Sequence, residues 1–221
     1  MNNIHKSRRS RQTAGHASRR EAILDAADEN LSSEGMAGLA LRRVASVAGY
    51  VPAALYAYFP TKQILTRALA TRRLGALGRQ MKAAGQNLTR KGNPEIVLRA
   101  TAHAGLRALC EEPAFYLLLG SLLPTDTATS KADAVPAEEE RSLTGRFIAL
   151  LETLAQPLRD LGTKTRETEA NRQAVTLGAT ILGLALMESA GRLDALGLKV
   201  ESLCDEAVAN AVRNLKSNSK G

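Results

Sequence analysis

The 221-residue chain is predicted to be all-α, with roughly nine helices, on three observations. Apolar residues recur at three- and four-residue spacings in one segment after another. No segment alternates with period two. Glycine or proline punctuates the breaks between the periodic runs.

Residues 1–18 are polar and basic and lack a hydrophobic period, so they are expected to be a disordered arm. Ser18 and Glu21 have the spacing of a capping box, and Ile23, Leu24, Ala27 and Leu31 then share one helical face. Gly35 suits the end of that helix. Leu41, Val44, Ala45 and Ala48 define a short second helix that Gly49 stops. Pro52 opens a third, whose Leu55, Tyr56 and Phe59 would face inward. Thr61 is the expected N-cap of a long fourth helix carrying Ile64, Leu65, Ala68, Leu69, Leu77 and Met81.

Beyond Gly92-Asn93-Pro94, one helix is expected over Ile96–Cys110 and the next from Pro113 to about Leu123. Pro124–Pro136 has no apolar face and reads as a loop. Glu138–Leu161 follows, with Pro157 implying a kink or an early end. Thr168–Leu193 and Val200–Leu215 complete the series. The expected domains are the arm (1–18), a DNA-binding domain (19–65) and a helical effector-binding and dimerisation domain (66–217).

Charge is unevenly spread. Residues 1–91 hold 16 basic and 5 acidic side chains, while residues 92–221 hold 14 and 17. A polycationic first part favours a polyanionic partner, nucleic acid or a membrane surface. Cys110 and Cys204 lie far apart without ligand spacing, so neither a disulfide framework nor a metal site is expected. No secretory leader is recognisable, and the uncharged stretch Ala174–Met187 is too short to span a bilayer. These features describe a soluble, cytoplasmic protein without a membrane partner. No P-loop, GxSxG, HExxH or dinucleotide fingerprint is present, so no enzymatic activity and no cofactor are expected.

The informative stretch is LALRRVASVAGYVPAALYAYF, residues 39–59. Two short amphipathic helices joined by a glycine-containing turn make a helix-turn-helix, whose second helix can enter a major groove. Arg42 and Arg43 open the first of the two, where cations do nothing for the helix dipole, so a phosphate or base contact explains them better.

With ILxAA at 23–27, Gly35 and AGxxxxxLYxYFxxK at 48–62, the N-terminal region resembles that of the TetR-type repressors over about Arg19–Leu69. The resemblance implies an operator-binding homodimer released by a small effector. It further implies base or phosphate contact from Arg42, an exposed recognition face at Pro52, Ala53, Ala54 and Ala57, and phosphate contacts from Tyr56, Tyr58 and Lys62. The alternatives are core packing for Tyr56, with its hydroxyl at the edge, and a solvated first-turn lysine for Lys62.

The sequence departs from the family at Val51, where Ser or Thr is usual, and Pro52 partly compensates by presetting the helical dihedral. A face of Pro and Ala offers thymine methyls only apolar contact, so specificity must lean on Arg42, water and DNA shape. Arg8, Arg9 and Arg11, with Lys6, suit a minor groove or a solvated tail.

Downstream, Gly178, Ile181, Leu184, Ala185 and Glu188, with Ala207 and Ala211, read as a dimer face or as the core of one subunit. His103, Phe115, Tyr116 and Phe147 are the candidates for contacting a small, mostly apolar effector, although a core histidine suits His103 as well.

Overall fold

The computed structural model describes residues 2–89, 93–122, 136–162 and 167–217, the side chains of 2–13, 87 and 89 excepted. Nine α-helices run through the described residues: α1 (Asn2–Glu34), α2 (Leu41–Val47), α3 (Pro52–Tyr56), α4 (Lys62–Thr89), α5 (Pro94–Glu111), α6 (Ala114–Gly120), α7 (Ala137–Leu161), α8 (Glu167–Ser189) and α9 (Val200–Ser217). Among these residues no strand occurs.

The chain divides into two compact units, residues 1–70 with 117–140, and residues 71–116 with 141–221. The units do not follow the boundary expected at residue 66: 66–70 and 117–140 group with the N-terminal residues. Residues around 117 and 139 belong with the first unit because their side chains are used there. Leu117 Cδ1 would stand 3.6 Å from a Cβ on Gly35. Glu139 pairs with Arg20 at 3.0 Å and Glu140 with Arg67 at 3.0 Å.

In the first unit α1 packs on α2 and on the 3-10 turn Gly35–Leu39, and α2 packs on α3. The core is a set of fully buried apolar side chains: Ile23, Ala27, Leu31, Leu39, Val44, Leu55 and Phe59. Each large member contributes about 1.5–3 kcal/mol by leaving water. Three helix ends follow local chemistry. Gly35 and Gly49 take φ of 63° and 73°, and the Tyr50 N–H donates back to the Ala45 carbonyl (2.8 Å), closing α2 with a Schellman bond. Thr61 Oγ1 accepts from the Ile64 N–H (3.3 Å) as the cap of α4.

The first helix departs from expectation. It begins at Asn2, not at Ser18, so Ser18 lies inside a continuous helix and caps nothing. Residues 2–17 hold no proline, and lengthening an existing helix requires no new nucleus, so Arg, Lys, Gln and Ala there extend it readily. An unstructured 1–18 arm is thereby corrected to helix over residues 2–18.

In the second unit α5, α8 and α9 pack pairwise. Leu98, Ala102 and Leu106 of α5, Ala174, Leu177 and Ile181 of α8, and Cys204, Val208 and Val212 of α9 are all buried. Asn93 Oδ1 accepts from the Glu95 N–H (3.0 Å) and Pro94 occupies the first turn, which starts α5. Pro157 neither ends nor shortens α7, which continues to Leu161 with the proline ring buried. The expected loop at 124–136 lies outside the described residues save Pro136.

Candidate nucleic-acid interface and effector cavity

Val51 precedes α3 in extended conformation (φ −69°, ψ 141°) and gives no side-chain cap, as its side chain dictates. Pro52 takes the first helical position. One side of this short helix is sealed by Leu55, which with Phe59 is fully buried. The other side is open: Val51 is 68% and Tyr56 44% exposed, Pro52, Ala53 and Ala57 are exposed, and Ala54 and Tyr58 are half-buried. The expectation that Tyr56 faces inward is thus corrected, because Leu55 and Phe59 already fill the space beneath α3.

Three cations on the flanking helices α2 and α4 are in different situations. Arg42 is exposed. Arg43 is tied to Glu34 at the end of α1, NH2 to Oε1 2.5 Å. Lys62 reaches back to the turn after α1 and donates from Nζ to the Met36 carbonyl at 2.7 Å. Only the ammonium's remaining two protons are left for an anion. The ring of His16, on α1, stands 4.5 Å from the ring of Tyr58. Arg20 crosses Phe59 at 5.0 Å from its centroid. Thus α1 flanks Tyr58, and the helical stretch carrying Lys6, Arg8, Arg9 and Arg11 continues from it. The Arg43 and Lys62 tethers were invisible in sequence, since their acceptors lie 9 and 26 residues upstream.

The expected effector residues of the second unit are dispersed. His103 Nε2 lies 2.7 Å from Asp205 Oδ1, which Arg99 also holds at 3.0 Å. The His103 hydrogen bond, with the Arg99 charge adding, keeps the Asp205 carboxyl below its usual 3.8. Phe115 is buried in the core. Tyr116 donates to the Leu109 carbonyl (3.3 Å), and burial pushes its phenol up to about 12. Phe147 is 49% exposed.

A cavity of about 580 Å³ opens instead between α4, α5 and α7, and none of the four lines it. Its walls carry Leu74, Val97, Leu150 and Pro157, with Arg79, Lys82 and Arg146 around them. On α4 the glycines 75, 78 and 85 face it together with Lys82, at spacings of three, four and three. That stripe was the signal in the sequence.

The expected dimer face also needs revision. Ile181, Ala185 and Ala211 are buried inside their own unit. A Cβ on Gly178 would meet Leu151 Cδ2 at 3.1 Å, so α7 of the same unit lies against it. Leu184 and Ala207 line a shallow groove between α8 and α9, and Glu188 is half-buried. The open side of α8 carries Val175 (52% exposed), Ala179, Gly183 and Leu186 (51%).

No helix among the described residues is long and apolar enough to cross a membrane. Residues 23–69 match the family described as bacterial regulatory proteins, tetR family. No curated protein sequence matches the chain. Several solved structures share its fold. A Rhodococcus sp. RHA1 protein of unknown function is 22% identical with a TM-score of 0.67, over 89% of this chain and 95% of that one. Thermus thermophilus FadR, a TetR-family transcriptional repressor solved with lauroyl-CoA, is 18% identical at TM-score 0.60, over 89% and 94%. BioQ, solved with its natural double-stranded DNA operator, is 20% identical at TM-score 0.57, over 86% and 98%. Residues 23–69 thus match the model of the tetR family, and the chain shares its all-helical fold with solved TetR-family regulators.

Proposed function

We propose that the protein is a transcriptional repressor that binds a pseudo-palindromic double-stranded DNA operator as a homodimer and is released by a small effector. The observation that carries this reading is the open face of α3, exposed at Val51, Pro52, Ala53, Tyr56 and Ala57 while Leu55 and Phe59 are buried, with Arg42 exposed on α2. A short helix held by its inner side and bare on its outer side fits a major groove. The bound operator in BioQ and the bound lauroyl-CoA in FadR support DNA and effector as ligand types.

In this reading Pro52, Ala53, Ala54 and Ala57 make apolar base contacts, and Arg42, Tyr56, Tyr58 and Lys62 hold phosphates. One short helix offers little affinity, so two subunits related by a two-fold are required for a full operator. The dimer forms through the open side of α8, with Val175 and Leu186 at its ends, and through the groove edge at Leu184 and Ala207. Electrophoretic mobility shift with the DNA upstream of the protein's own gene tests the proposal. A discrete complex that survives non-specific competitor is expected, and binding no tighter than to random DNA would sink it.

A further inference from the structure

We infer that the cavity between α4, α5 and α7 takes an amphipathic anion, an apolar chain or ring ending in a carboxylate or phosphate. The inference rests on the effector-responsive reading above and adds the chemistry of the effector. A mostly apolar molecule satisfies the walls made by Leu74, Val97, Leu150 and Pro157, but leaves three cations unused.

The glycines of α4 strip side chains from the wall where those cations gather. A Cβ on Gly75 would lie 3.5 Å from Arg79 NH1 and 3.7 Å from both Cδ and Nε of Arg146. Two guanidinium groups from different helices therefore fold over one bare stretch of backbone. Lys82 stands one turn further along the same face. None of the three takes part in an ion pair among the described residues. Glu152 is the single carboxylate in the described lining, and it is taken by Arg159.

Like charges held together repel, and an anion set between them removes that cost while gaining planar, two-pronged hydrogen bonds. A bare inorganic anion would leave the apolar wall wet, and a neutral hydrocarbon would desolvate the arginines without replacing their partners. An anionic amphiphile answers both. A volume of about 580 Å³ lies in the ordinary range for a pocket holding a medium-chain acyl group or a small ring system.

Isothermal titration of the full chain without DNA tests this, with sodium decanoate, decyl phosphate, decanol and inorganic phosphate as probes. Decanoate or decyl phosphate is expected to bind at least about tenfold more tightly than decanol, the loss expected for one charge-assisted contact, and inorganic phosphate more weakly still. Whichever of the first two binds more tightly identifies the head group. In the double variant Arg79→Gln/Arg146→Gln, anion affinity should fall by about tenfold or more while decanol is unaffected. Both side chains are exposed, so circular dichroism should show unchanged helix; the single variants serve if it does not. Equal binding of decanol and decanoate, binding of inorganic phosphate as tight as that of decanoate, undiminished anion binding by the variants, or no heat with any probe would each overturn the inference. A mobility shift on the same preparation separates this failure from failure of the DNA-binding reading.

Discussion

Asn30 and Gly38 are locked face to face: Asn30 Nδ2 donates to the Gly38 carbonyl at 3.2 Å, and a Cβ on Gly38 would stand 2.4 Å from the Asn30 carbonyl oxygen. The obstructing atom is helix backbone, which cannot swing aside. Gly38→Ala should therefore destabilise the first unit by about 1–3 kcal/mol, the usual cost of overpacking. The opposite sign is expected at Gly15, which is helical with nothing within 4 Å of its missing Cβ. There, Gly15→Ala should stabilise by about 0.5–1 kcal/mol. Denaturant unfolding of both variants checks the pair, and similar behaviour of the two would refute the packing argument.

The contrast with the sequence reading follows the range of each interaction. Ends of helices were legible at Gly35, Gly49 and Thr61 because a cap and its partner lie within a few residues. The Asn30–Gly38 contact was not, since nothing in a glycine states which backbone will approach it. On α8 the apolar residues run round most of the helix, with Val175 and Leu186 on one side and Ile181 and Ala185 on the other. Periodicity alone does not tell which side meets α5 and α9. The cavity escaped for a similar reason: it is assembled from three helices, and its polar residues are spread from Arg79 to Arg146.

Arg42 and Lys62 should separate in their effects. Arg42→Ala removes an exposed cation, so operator affinity and its salt dependence should both fall, the latter by about one released counterion, with stability unchanged. Lys62→Ala also strips the Met36 carbonyl of its 2.7 Å partner, so it should in addition lower stability, by about 1 kcal/mol or less at this exposed site. Anisotropy titrations over a salt series, paired with thermal melts, check this. Arg42→Ala with an undiminished salt slope would remove Arg42 from the interface.

The helical start of α1 bears on the same slope. Deleting residues 2–13 removes Lys6, Arg8, Arg9 and Arg11 but leaves His16 against Tyr58 and every core residue in place. If this basic helix lies along DNA, the shortened protein should fold normally and lose up to about four units of salt slope. An unchanged slope would leave those residues as a solvated extension.

Asp205 makes a pH prediction. The His103 hydrogen bond and the Arg99 charge keep its carboxyl below 3.8 in the folded chain, so its contribution is full above that pH and is lost as pH falls through the lower folded value. All three partners are partly exposed, which limits the contribution to about 1 kcal/mol or less. Asp205→Asn should therefore be less stable near neutrality and converge with the parent in strong acid. Melting curves that stay parallel at all pH values would contradict the assignment.

The dimer surface gives the sharpest contrast, because α8 offers two apolar sides with opposite fates. Ile181 is 3% exposed in a single chain, on a helix that packs against α5 and α9, so Ile181→Glu puts a charge into the subunit's own core and should unfold the second unit whatever the dimer does. Leu186 is 51% exposed, and a charge there costs a lone chain almost nothing. If the open side of α8 meets its two-fold mate, that charge is buried, unpaired and repeated by symmetry. Leu186→Glu should then keep its helix signal and melting cooperativity, run as a monomer in light scattering, and lose operator binding by at least about a hundredfold through loss of the second half-site. Val175→Glu should behave alike, at the far end of the same stripe. A Leu186→Glu protein that remains dimeric and binds its operator normally would exclude this side of α8 from the interface, and the groove edge at Leu184 and Ala207 would have to bear the contact without it.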